Sequence, residues 1–405
     1  MQKLTDQERL KPWMGVVLFA VGVLFLLFIG SYKQSNWGIP GLVLTEAGFL
    51  LISILYCVIT KVKIKEVFSV KKISGKDFLG VLIMFAGGFL LNLAAIGTSM
   101  FILDLIGRRD AFSEITGLSD FLYGSKSTYI FIMIIVAIIP AICEEAFMRG
   151  AVLSNFRSLK KDWMIVVIIG LFFGILHLSP LRFLNTACLG GVLAYIMVKK
   201  NNILLPMLLH FLNNFVSSLV GFLNLGQDTD YSSLLENMDV TTIMGSYLVV
   251  GFLAPILLVI GAKILNKEGC KPVSFVIGGS ISAVMLIVGM CMVLISGGML
   301  GGAMLNWNYS YTVTEETLEC DNLSEACICI EEERTVMVVV SATASKADIT
   351  FTIDDENGEV VYTKTANGML MVSENLKMSP GNYTLYFTGD ENMLNKTFTY
   401  QVIVK

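Results

Sequence analysis

The chain has 405 residues, 55% of them apolar and 15% charged, with a mean hydropathy of +0.71, a balance too oily for an ordinary soluble domain. A formal charge of −4 and a pI near 5.4 argue against a nucleic-acid binder, whose affinity would come from clustered Lys and Arg on phosphates. Residues 306–405 carry 6 Lys/Arg against 16 Asp/Glu, whereas residues 1–305 carry 23 against 17, so a membrane part and an acidic soluble part share one sequence.

In chain order, nine apolar runs lie at 12–31, 39–60, 78–103, 129–153, 163–178, 181–198, 203–224, 242–264 and 274–304. Crossing the hydrocarbon core of a bilayer takes about 20 helical residues. The first run has a basic flank, but its apolar stretch is long for a signal peptide and no small-x-small cleavage site follows, so it reads as a retained span. Positively charged loops stay cytoplasmic. With the N terminus inside, the inside segments hold 17 Lys and Arg and the outside loops hold 5, namely Lys33, Arg108, Arg109, Lys126 and Arg182. That bias supports nine spans over eight and sends the tail to the exterior. The Lys-rich loop from Lys61 to Lys76 reads as a topology anchor.

The tail alternates or is rich in β-branched and aromatic residues at 335–343, 349–353, 360–365, 383–388 and 397–404, with turn chemistry at Glu356-Asn357-Gly358 and Pro380-Gly381-Asn382. A small extracytoplasmic antiparallel β-sandwich is expected. The organisation is then a two-span region at 1–77, a membrane core at 78–225, two further spans at 226–305 and the acidic β-rich domain at 306–405. Gly297, Gly298, Gly301 and Gly302 form overlapping GxxxG patterns that read as ordinary helix packing. Cys57, Cys143, Cys188 and Cys291 fall in spans and Cys270 in a cytoplasmic loop, while outside the membrane Cys320 has Cys327 or Cys329 as its plausible partner. The Asn-x-Ser/Thr triplets at Asn308, Asn322, Asn382 and Asn395 read as a by-product of composition.

Ionisable groups inside a bilayer cost about 2.5–3.5 kcal/mol each on insertion scales, so those that persist are candidates for function. Three segments hold them: Cys143-Glu144-Glu145-Ala146-Phe147-Met148-Arg149, Phe173 to His177, and His210 to Asn214. His177 and His210 are the chain's only histidines. Glu145 and Arg149, at i and i+4, share a helix face and can neutralise each other. Glu144 points about 100° away with no partner at i+3 or i+4, as suits a general base. His210 and Asn214 are likewise at i and i+4 and can both address an oxyanion, with Asn213 at i+3 as the alternative. At ~1.5 Å per residue, Glu144 lies ~13 Å and His210 ~11 Å from the cytoplasmic ends of their spans, but His177 ~21 Å, unless the fifth and sixth runs form a short hairpin that ends inside the protein. Glu46 and Asn92 are polar groups of the second and third runs and read as interfacial or interhelical.

In order and spacing these segments resemble the motifs of the CPBP family, the CAAX proteases and bacteriocin-processing enzymes, also called Abi, which includes type II CAAX prenyl endopeptidases. The match is EExxxR at Glu144, Glu145 and Arg149, FxxxH at Phe173 and His177, and HxxxN at His210 and Asn214, within residues 78–225. The resemblance implies an intramembrane endopeptidase in which Glu144 and His177 hold and activate a water, His210 and Asn214 stabilise the tetrahedral intermediate, and Glu145, Arg149 and Phe173 give structural support. It leaves a metal open. Glu144, His177 and His210 supply the two-His-one-carboxylate set of catalytic zinc sites, yet no HExxH is present.

The implied partners are a membrane-associated peptide or protein and membrane lipids, with an extracytoplasmic ligand for the acidic domain and no nucleic acid. Two rival readings share the scaffold: a non-catalytic regulator or bacteriocin-immunity protein, and a transporter using Glu and His as a proton relay. The transporter reading is disfavoured by the absence of an internal repeat.

Overall fold

A computed structural model describes residues 9–112, 126–223, 240–266, 271–295, 305–314 and 323–404. The chain divides into two compact units, Met1–Met292 and Val293–Lys405.

The first unit is helical. Its elements are α1 (Pro12–Trp37), α2 (Ile39–Thr60), the short α3 (Ile64–Val67), α4 (Gly75–Leu105), α5 (Lys126–Glu145), α6 (Asp162–Leu176), α7 (Pro180–Lys200), α8 (Leu204–Leu223), α9 (Val240–Gly251), α10 (Ala254–Leu265) and α11 (Pro272–Ile295). The starts follow local rules. Pro12, Pro180 and Pro272 open their helices, where a missing N–H costs nothing. Ser74 and Asp77 form a reciprocal capping box at α4. After Glu145, α5 continues as a π-helical turn, Ala146–Val152, in which the Leu153 N–H reaches back five residues to the Met148 carbonyl.

Six helical stretches among the described residues are long and apolar enough to cross a bilayer: Pro12–Trp37, Ile39–Thr60, Gly75–Leu105, Pro180–Lys200, Val240–Leu265 and Pro272–Leu294. Asp162–Leu176 and Leu204–Val220 are apolar but shorter. The eighth run of the sequence is broken between α9 and α10, beside Pro255. The GxxxG glycines at 297–302 and Cys270 lie outside the described residues, as does Cys320. Large apolar side chains such as Phe28, Ile59 and Val276 are exposed on the helices, as expected of a surface solvated by lipid.

The α6–α7 hairpin is set by glycine. A Cβ on Gly170 would stand 2.8 Å from the Ala187 carbonyl oxygen, one on Gly174 2.7 Å from that of Phe183, and one on Gly190 2.7 Å from the Phe173 Cβ. Only hydrogens at these positions let the backbones come so close, the usual way to gain dispersion where lipid supplies no hydrophobic drive. Residues 177–179 close the hairpin, with Leu178 left-handed (φ 51°) and Ser179 capping α7 by accepting from the Arg182 N–H at 3.1 Å.

The second unit is an antiparallel sheet of six strands among the described residues: β1 (Leu305–Thr312), β2 (Ser324–Ile330), β3 (Arg334–Asp354), β4 (Val360–Met378), β5 (Gly381–Gly389) and β6 (Thr397–Val404), in the order β1-β6-β3-β5-β2 with β4 on the other side of β3. The long β3 pairs with β6 over residues 338–343 and with β5 over 349–354. Between them its register against β4 shifts from Thr343 to Asp348. The irregularity changes which residues point inward, from Val338, Val340 and Ala342 before it to Ile349, Phe351 and Ile353 after it. The two halves fold face to face, with Phe387 of β5 against Phe398 and Tyr400 of β6 at ring distances of 5.4 and 5.0 Å. In the β3–β4 turn, Asp355 Oδ1 accepts the N–H groups of Asn357 (2.8 Å) and Glu359 (2.9 Å), and Gly358 takes a φ of 77°.

Candidate active site

Three helices deliver the residues of the three motifs: the C-terminal part of α5 with its π turn, the end of α6, and the middle of α8. Glu145 and Arg149 are both fully buried and ion-paired, Arg149 Nη1 to Glu145 Oε1 at 2.9 Å. The guanidinium fork does more than neutralise. Its Nη2 donates to the Gly190 carbonyl of α7 at 3.0 Å, and its plane lies 4.4 Å from the centroid of Phe173 on α6. One side chain thus ties α5 to α6 and α7, which a lysine could not do with a single ammonium.

Glu145 is also joined to α8. His210, 3% exposed, has its Nδ1 2.9 Å from the same Glu145 Oε1. A carboxylate only accepts, so Nδ1 carries the hydrogen and Nε2 is the nitrogen left for chemistry. His177 is arranged in the same sense. It caps α6, is partly buried, and its Nδ1 lies 2.9 Å from the Phe173 carbonyl; a carbonyl cannot donate, so here too Nε2 is left over. Phe173 stands between the two, with its ring edge-on to His177 at 4.8 Å and to His210 at 5.7 Å. His177, at the end of α6, and His210, in the middle of α8, thus meet on one ring.

Glu144 is partly buried, and its Oε2 is shut from solvent without a hydrogen-bond partner. His210, Glu145, Arg149 and Arg182 all act on it electrostatically, and Arg182 and His210 act on His177. On α8, Asn213 is 6% exposed and Asn214 partly buried, and Asn213 Nδ2 donates to Asn214 Oδ1 at 3.3 Å. The Asn213 Oδ1 has no partner. Among the described residues no three His, Cys, Asp or Glu side chains are gathered as metal ligands, so the zinc set of Glu144, His177 and His210 does not fit this geometry.

Two features escape sequence reasoning. The Glu145–His210 bond spans 65 residues, so helical spacing shows only its Arg149 partner. Glu46 of α2 is 3% exposed, has an Oε2 without a partner and lies within electrostatic reach of Glu144. Its signal was a carboxylate in a membrane helix on the buried stripe of Glu46, Phe49 and Ser53.

Residues 126–216 match the family model described as type II CAAX prenyl endopeptidase, Rce1-like. The matched stretch holds Glu144, Glu145, Arg149, Phe173, His177, His210 and Asn214. No curated protein and no solved structure matches the chain. On a helical frame with several membrane-spanning candidates, this stretch is therefore similar to the CAAX-type intramembrane proteases, as its three motifs imply.

Proposed function

We propose that this protein is an intramembrane endopeptidase that hydrolyses a membrane-associated peptide or protein. The observation that carries the reading is the placement of two histidines on one phenylalanine, each held through Nδ1 with Nε2 left over, inside the stretch that matches the protease family. In the proposed reaction a water lies between Glu144 and His177. The water donates one hydrogen bond to the Glu144 carboxylate and the other to Nε2 of His177. Glu144 takes a proton as the water oxygen attacks the scissile carbonyl carbon. The carbonyl oxygen becomes an oxyanion, and the Asn214 amide donates to it. His210, protonated at Nε2 as well, donates there too, and Glu145 on its Nδ1 balances the charge. When the intermediate collapses, the C–N bond breaks and the proton on Glu144 passes to the leaving amine. Arg149 and Phe173 keep these groups in place.

The frame we infer has nine spans, the N terminus in the cytoplasm and the acidic β-domain outside, on the strength of the Lys and Arg distribution. The core at 78–225 then carries the chemistry, flanked by spans at 1–77 and 226–305. The domain at 306–405 would capture an extracytoplasmic, basic ligand. Comparative peptidomics of membranes from cells expressing wild type, Glu144→Ala and His177→Ala at matched levels tests the reaction. A product formed by wild type alone identifies the substrate. Identical profiles, with any phenotype kept by both variants, would replace the protease by a non-catalytic regulator on the same scaffold.

A further inference from the structure

The second helix brings a carboxyl to the site from outside the family match, which begins at residue 126. Two contacts set the register of α2 against α5 and its continuation. The rings of Phe49 and Phe147 are 5.1 Å apart, and Tyr56 donates its hydroxyl to Asn155 Oδ1 at 2.6 Å. Both partners advance along the chain in the same direction, so the helices run parallel here. Three residues before Phe49 is Glu46, and three before Phe147 is Glu144. Going back about one turn on each helix keeps the pair level. Both residues therefore belong to the α2–α5 interface, and each has a solvent-free Oε2 with no hydrogen-bond partner. The charges act on one another and on Cys143.

Two carboxylates so placed in apolar surroundings repel, and each unpaired oxygen forfeits the hydration it would have in water. A hydrogen bond in which Glu46, as the neutral acid, donates to the Glu144 carboxylate removes both penalties. We propose that Glu46 is a positioning residue of this site: its carboxyl shares a hydrogen bond with that of Glu144, directly or through one water, and so fixes the rotamer of the base. The inference rests on the reading of Glu144 as the base. Glu46 touches no reacting atom in it.

The test uses the full chain in lipid nanodiscs, with Glu46→Gln, Glu46→Leu, Glu144→Leu and the Glu46→Leu/Glu144→Leu double variant. The probe is an internally quenched farnesylated peptide with a CAAX-type C terminus. Glu46→Gln keeps a donor and should stay within threefold of wild type, whereas Glu46→Leu should lose at least tenfold in kcat at unchanged KM. A merely structural role would not separate the two substitutions in this way. Thermal unfolding of the four-member Leu cycle, in which each single variant removes the bond, is read independently of turnover, and non-additive shifts are expected. Additive shifts would overturn the pairing, as would a Glu46→Leu protein that cleaves at the wild-type rate. If wild type does not cleave the probe, the cycle alone decides whether the two carboxyls are coupled, and the loss falls on the proposed function.

Discussion

Arg149 should be the most costly single side chain of the membrane unit to remove. Arg149→Met keeps much of the volume but leaves Glu145, itself fully buried, with only His210 on its Oε1 and removes the side-chain donor that ties the Gly190 carbonyl of α7 to this pair. Breaking a buried ion pair by removing one partner costs about 3–5 kcal/mol, because a charge is left uncompensated. Arg149→Lys keeps the charge but not the fork, and losing the charged second donor on the Gly190 carbonyl should cost about 1.5–3 kcal/mol. Replacing both partners, in Glu145→Gln/Arg149→Met, should be milder than Arg149→Met alone by about 2 kcal/mol, since no charge is stranded. Steric-trapping measurements of unfolding in bicelles give these differences directly. Interhelical hydrogen bonds in bilayers average only about 0.6 kcal/mol, because the unfolded chain in the membrane also finds partners. A loss near that value for Arg149→Met, or a double variant no milder than the single, would refute the claim that this pair is paid for by its neighbours in the folded state.

Phe173, 1% exposed, supports both histidines, and Phe173→Ala should cost about 3–5 kcal/mol of stability and abolish any product seen in membrane peptidomics; a stable, active variant would contradict its role. Gly170→Ala drives a methyl to 2.8 Å from a backbone oxygen and should cost about 1–3 kcal/mol, whereas Gly279→Ala meets nothing within 4 Å and should be neutral or better; equal melting temperatures would remove the close-packing argument. In the β-unit, backbone N–H groups, first that of Glu359 and then that of Asn357, hold the Asp355 carboxyl below its ordinary range. Its contribution is therefore present above the unfolded carboxylate's pKa and fades as the pH falls through the lower folded value. Calorimetry of wild type and Asp355→Ala should show a gap at neutral pH that closes as the pH falls below the ordinary carboxylate range; a gap independent of pH would rule the turn out as the source.

Much of the membrane frame was legible because burial in lipid demands long apolar runs, and six of those runs are helices of spanning length and character. Periodicity placed Glu145 and Arg149 on one face, where the structure pairs them. It carried no information on His210 as the third member, since that contact depends on how α8 packs. The hairpin option for the fifth and sixth runs rested on their shortness; the structure has a helix pair joined by a turn at 177–179, with Asp162–Leu176 shorter than a span and Pro180–Lys200 of spanning length. In the tail, β1 and β2 went unread: Asn306, Asn308 and Ser310 dilute the β-branched signal in the first, and the second carries only Ile328 and Ile330. The gap expected between 343 and 349 is an irregularity inside one strand rather than a connection between two, because neighbouring strands hold both halves.

The π-helical turn at Ala146–Val152 makes this segment tolerant of a change in length where the regular helix before it is not. A π turn accommodates one residue more than an α-helix of the same rise needs. Deleting a single residue within it would relax the backbone to ordinary geometry without moving Glu144 or Glu145, and the chain downstream would keep its phase. Asn155 would still face Tyr56 and Arg157 Asn201, to which they now bond at 2.6 and 2.7 Å. Deleting a residue from the regular helix before the turn would instead swing everything downstream about 100° around the axis. Among related chains, a one-residue gap at this place would therefore leave the grip on the second helix intact, whereas a gap a turn earlier would break it.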